Sequence, residues 1–299
     1  MTDKHKAAVL GSFAADALSL GVHWVYNTNV IDKKVGRIEQ YHDPLTSYHK
    51  GKQAGDFTHY GDQMLVLLEA IGTAGKFDAV GFANAWRDFF SNYNGYFDKA
   101  TKTTLENMDA SGDLKRSASP SDDLAGASRM APLVAVYGDD LDALIRTARA
   151  QTAITHNDDR VIQSAEFFAR TVYNVLKGRP PLAAVETALE AQADSPIAPL
   201  ITMGLERRDD NTRETIAEFG QMCSVEAGLP GAVHLVARYA DDYRTAMVEN
   251  VMAGGDSSAR GMLAGMVIAA AHGSAAIPDT WQAEITQGGR IDGLLNQLL

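Results

Sequence analysis

The chain reads as an all-α protein, one helical-bundle domain spanning residues 1–299. Three observations lead there. Apolar residues recur at helical spacing from end to end. Cap-forming and helix-stopping residues bracket those runs. No apolar–polar alternation lasts long enough for a strand, and no internal repeat is visible. At 299 residues with 45% hydrophobic content, the chain carries enough apolar surface for a full core.

Residues 4–20 are Ala-rich, and their small side chains permit close helix packing. Asp16 lies within this run, either on a solvated face or pointing into a site. Residues 27–62 break the pattern into a long polar connection with Pro44, Gly51 and Gly55, and connections of that length tend to be functional or mobile. A buried helix follows over residues 64–70, with Asp62 at its head either as cap or as cation ligand. Residues 78–109 predict a helix around Phe82, Trp86, Phe89 and Phe90, then an aromatic loop. In that loop Tyr96 and Phe97 form either core or a stacking wall for a flat ring.

Residues 111–123 are polar and loop-like. Residues 138–153 predict an amphipathic helix, and Thr155 or Asn157 caps the next one, over residues 161–176. Gly178, Pro180 and Pro181 stop it. His156 in that loop either titrates against a ligand or hydrogen-bonds backbone. Further helical segments fill residues 183–219. Trp281 and Leu294-Leu295 dock as a closing helix and strap.

The most apolar stretch, residues 261–271, has no proline and reads as a buried helix. Gly254 and Gly255 turn the backbone into it, and Asp256, Ser257 and Ser258 are all N-cap types. Asp256 is thus a cap, or it holds a hard cation at the end of a core element.

A net charge of −11 argues against nucleic acid or an anionic membrane as partner. One cysteine, Cys223, excludes an internal disulfide framework and four-cysteine zinc sites, and it reads as a small core residue. Lys4 and Lys6 precede the apolar run of residues 7–15, but Asp16 ends it early. No run reaches the roughly 18 apolar residues of a membrane span. A reduced, cytoplasmic setting is the simplest expectation.

Several segments, in order, resemble the ADP-ribosylglycohydrolase family. Gly254-Gly255-Asp256-Ser257-Ser258 is similar to its Gly-Gly-Asp-Thr-Asp-Thr loop, and Ala15-Asp16-Ala17-Leu18-Ser19 to its Gly-Asp-Ala-x-Gly segment. Gly126-Ala127-Ser128-Arg129-Met130-Ala131-Pro132 resembles the segment lining its substrate site. Thr155-His156-Asn157-Asp158 and the helix start from Leu229 also have counterparts. Gly21-Val22-His23-Trp24-Val25-Tyr26 resembles the branch that includes jellyfish J-type crystallins.

The resemblance implies the family's all-α orthogonal bundle and hydrolysis of an ADP-ribosyl glycosidic bond assisted by two magnesium ions. This chain departs from the ligand pattern. Aligned on Gln63-Met64, His59, Tyr60 and Gly61 replace Thr-Asp-Asp, Asp62 stands at the second Thr, and Ser258 stands for an Asp. The expectation is therefore one weakly held magnesium at most, on Asp256, Ser257, Ser258 and Asp62. Asp256 and Asp62 would be catalytic, and His156, Arg129, Tyr96 and His59 would meet the substrate. The ligand would be a small molecule or an ADP-ribosylated protein. A binding module without turnover and a crystallin-like structural protein stand as alternatives.

Overall fold

The structure is a computed structural model, and it describes residues 1–299 except Phe97, Leu114, Lys115 and Leu299. Its axis is the Ser257–His272 helix, in which every residue from Ser257 to Ala270 is buried. The Asp3–Leu20 helix packs along it. Glycine makes that approach possible: a Cβ on Gly11 would stand 2.4 Å from the Cβ of Ala269, and one on Gly265 would stand 2.7 Å from the Gly11 carbonyl oxygen. The Tyr243 hydroxyl donates to the same Gly11 carbonyl at 2.6 Å. The Asp159–Leu176, Val225–Arg238 and Tyr243–Met252 helices complete the packing around the axis.

The bundle is all-α as the periodicity predicts, and no strand occurs among the described residues. Several boundaries differ from expectation. The connection over residues 27–62 contains a short helix, Thr28–Lys34, and a 3-10 turn, Ser47–His49. The next helix runs His59–Ala74 and is capped by Thr58, whose side chain accepts from the Tyr60 amide. Asp62 is therefore not the cap but a first-turn residue. Asp158, rather than Thr155 or Asn157, caps Asp159–Leu176, because its carboxylate reaches two free amides of the first turn. Trp281 does close the molecule: it is buried, and its indole N–H donates to the Glu39 carbonyl at 3.0 Å.

Among the described residues, three isolated β-bridges tie the loops at one end of the bundle. Val25 pairs with Gly255, Ser119 with His156, and Asp123 with Ser224. They gather segments far apart in sequence beside the start of the axial helix. The site forms there.

Candidate active site

Gly254 and Gly255 both adopt left-handed backbone, and a Cβ on Gly255 would strike the Gln221 carbonyl at 2.3 Å. That turn delivers Asp256 to the axial helix as its N-cap, accepting from the Ala259 amide at 3.3 Å. The Asp256 carboxylate also faces inward. One oxygen lies 3.4 Å from the Tyr60 hydroxyl and the other 3.7 Å from Nδ1 of His23. Cap and site residue are thus the same side chain. The Tyr60 hydroxyl is also 3.4 Å from Asp123.

Asp123, Cys223 and Asp256 form a group whose ligand atoms all lie within 4.8 Å of one another. Paired amide bonds create it: Leu124 N–H donates to the Cys223 carbonyl at 2.9 Å, and Val225 N–H donates to the Asp122 carbonyl at 2.8 Å. Burial and then the charge of Asp256 push the Asp123 carboxyl well up. Burial also raises Asp256, with Arg260 pulling the other way. Burial, then these two carboxylates, raise the Cys223 thiol, which hydrogen-bonds Asp123. Cys223 is half-buried at the cleft, which corrects its reading as a core residue. An acidic group able to hold a metal therefore exists, but with a sulfur in it.

Asp123 and Cys223 of that group line a cavity of about 360 Å³, while Asp256 is buried and does not line it. Trp24, Tyr26, Tyr48 and Tyr96 line it, together with Asp98, Lys99, Asp122 and Asp123. Tyr96 meets Trp24 edge-on at 5.0 Å and Tyr48 at 5.1 Å, so the aromatic wall exists, while Phe97 lies outside the described residues. Trp24 has φ of 63°, a conformation non-glycine residues rarely take and one found at functional sites. A wider hollow of about 600 Å³ lies along residues 193–206. It offers only Asp194 and Glu206 as titratable groups, so the chemistry belongs to the smaller cleft.

The remaining expected residues divide. His59 lies against this wall, 4.2 Å from Tyr60 and 5.4 Å from Trp24 between rings, with Nε2 on Asp98 at 2.8 Å. Burial favours a protonated Asp98, but its bond to His59 and the charge there outweigh burial and hold the carboxyl low. His156 is buried, its Nδ1 2.9 Å from Thr155 Oγ1 and its Nε2 without a partner. Burial lowers it to about 3. Arg129 is buried among neutral acceptors, Gln63, Gln151 and Thr155. Asp62 is engaged by Lys52 and the Tyr93 hydroxyl, each at 2.6 Å. Ser258 donates to Asp16, which also accepts from the Thr58 amide and hydroxyl. Burial pushes Asp16 up to about 6. Ser257 is buried with its hydroxyl unpartnered.

The family's magnesium pair needs an all-oxygen set. Among the described residues, Asp62, Ser258 and Asp16 are committed to protein partners, and the group that does converge contains a thiol. The residues present do not fit that pair.

A statistical model of the ADP-ribosylglycohydrolase family matches residues 1–299. The chain belongs to the ADP-ribosylglycohydrolase family. Crystallin J1A of Tripedalia cystophora is 27% identical, covering 99% of this chain and 96% of its own length. An uncharacterized protein of Archaeoglobus fulgidus is 26% identical over 94% of this chain and 91% of its own. Among solved structures, an ADP-ribosylglycohydrolase-related protein complex shares the fold, with a TM-score of 0.76 at 21% identity over 99% of this chain and 96% of that one. The family assignment and the crystallin-like branch agree with the segments read from the sequence.

The sequence pointed to Asp256 and Tyr96 but not to Asp123, Cys223, Asp98 and Trp24, all four of which line the cleft. Asp123 closes a polar loop directly before an apolar segment, a position that carried the only usable signal.

Proposed function

We propose that this member of the family hydrolyses a glycosidic bond of an ADP-ribosyl or related nucleotide compound, either a small molecule or a modified protein. The observation that carries this is Asp123, paired with the buried Asp256, lining an aromatic-walled cleft. Trp24, Tyr48 and Tyr96 present ring faces and edges for a flat base. Lys99 at the cleft edge offers a charge to a phosphate. As the bond to the anomeric carbon lengthens, positive charge grows on the sugar; Asp256 supplies the opposing field in a poorly solvated setting, and Asp123, pushed up by burial and by Asp256, is placed to give its proton to the leaving group. Once that proton has left, the Asp123 carboxylate can accept the proton of the attacking water. These roles belong to the carboxylates and need no magnesium pair.

The test is release of ADP-ribose from modified peptide by wild type, Asp123→Asn and Asp256→Asn. Each variant is expected to lose about a hundredfold or more in turnover while keeping its helical circular dichroism. Equal turnover in either variant removes that carboxylate from the mechanism. The commitment of Asp62 and Ser258 to protein partners favours a second reading, a binding module without chemistry. Absence of turnover in wild type on arginine, serine and small-molecule linkages, with ADP-ribose still bound, would select it.

A further inference from the structure

We propose that Asp123, Cys223 and Asp256 bind one thiophilic divalent cation, of the zinc or cobalt class, in preference to magnesium. The proposal rests on reading Asp123–Asp256 as the working centre and specifies what that centre holds.

The geometry suits one small ion. Bonds of about 2.0–2.3 Å place tetrahedral ligands roughly 3.3–3.8 Å apart, and the three ligand atoms already lie within 4.8 Å of one another. Small side-chain rotations close the set. The electrostatics point the same way. Asp123 is buried and has Asp256 as its charged neighbour, and its hydrogen-bond donors are the Ala125 amide and the Tyr60 and Cys223 side chains. None of them is a cation. Two repelling carboxylates inside protein are costly unless a proton or a metal ion joins them.

A second observation is independent of the acids. His23 is fully buried, and neither ring nitrogen has a hydrogen-bond partner. Its Nδ1 faces Asp256 Oδ1 at 3.7 Å. An imidazole beside a carboxylate ligand, able to orient that ligand by hydrogen bonding, is a usual supporting arrangement around a bound metal. An unsatisfied buried histidine is otherwise a destabilising choice.

The donor types decide which ion. Magnesium takes oxygens and holds its waters, whereas thiolate and imidazole select zinc and its neighbours. Cys223 is half-buried and lines the cleft, so an ion has a path from solvent, and the thiol proton leaves to solvent as sulfur takes the metal.

Chelator-treated protein is titrated with cobalt, then with zinc and magnesium as competitors. The expected result is a near-ultraviolet sulfur-to-cobalt charge-transfer band, removed by zinc at concentrations at least about a hundredfold below those of magnesium. Cys223→Ser should abolish the band and weaken zinc by about tenfold or more, with magnesium affinity unchanged. Asp123→Asn, which leaves the sulfur in place, should weaken cobalt as well. No band in wild type, magnesium competing as well as zinc, or undiminished zinc binding by Cys223→Ser would overturn the proposal. Hydrolysis without a cobalt–sulfur band would leave the hydrolase reading standing alone. A band without hydrolysis would do the reverse.

Discussion

Gly61 shows how a single atom's absence shapes this site. The resemblance aligns it with a metal-binding Asp, yet a Cβ there would lie 2.1 Å from Asp16 Oδ2. The space a ligand side chain would need is filled by Asp16, which itself accepts from Thr58 and Ser258. Gly61→Ala should therefore cost about 1–3 kcal/mol in urea denaturation, through displacement of a buried, hydrogen-bonded carboxylate. An unchanged midpoint would show that Asp16 yields freely. At this scale the sequence was partly legible. Asp256 was found because two glycines and a cap type announce a turn into a helix. Asp123 and Cys223 were not, because they stand 100 positions apart and meet only through backbone pairing that no local pattern encodes. His23 lies in the segment that resembles the crystallin branch, but no local pattern says that its ring is buried without a hydrogen bond.

The elements were more legible than the residues that join them. Periodicity located the helices because most bury one face, while the axial helix and Asp3–Leu20 bury nearly every face. Caps were misassigned where several candidates crowd a few positions: Thr58 competed with Asp62, and Asp158 with Thr155 and Asn157. Backbone conformation decides such contests, and sequence does not show it. The closest helix contact is testable directly. Gly11→Ala would set a Cβ 2.4 Å from that of Ala269 and 2.8 Å from the Gly265 carbonyl. Neither can retreat, since both belong to the buried axial helix. A loss of about 2 kcal/mol or more is expected from the thermal midpoint, with the site chemistry intact in the folded fraction. A loss below about 0.5 kcal/mol, the size of an ordinary surface change, would mean that the two helices slide apart easily.

Over the whole molecule, buried histidines set the response to acid. Burial lowers His234 to about 4, and His49 and His156 to about 3, against about 6.5 for a free imidazole. As pH falls below that value, the unfolded chain takes protons the folded chain refuses. Their contribution is therefore full above about pH 6.5 and is lost as pH falls toward the folded values. Asp16, raised to about 6, works in the opposite sense, gaining its proton first in the folded state. His234 is the cleanest probe, with one nitrogen on Thr212 and the other accepted by the Arg207 carbonyl. Between pH 7 and 4.5, wild type should lose about 2 kcal/mol more stability than His234→Gln, which keeps a donor and an acceptor. Parallel pH profiles would show that His234 titrates at its ordinary value.

The three β-bridges carry a further consequence, one of timing. Each joins segments that must travel far along the chain to meet, from Val25 to Gly255 at the longest, and such contacts close late because loop entropy opposes them. The helices can form before the cleft exists. The amides of Trp24, Leu124, Asn157, Val225 and Gly255 all donate across these junctions, so their hydrogen exchange reports the cleft's assembly. In the native protein they should exchange as one group, faster than amides of the axial helix and slower than those of ordinary loops. Five unrelated exchange rates would mean that the cleft is pinned loop by loop instead of opening as a unit.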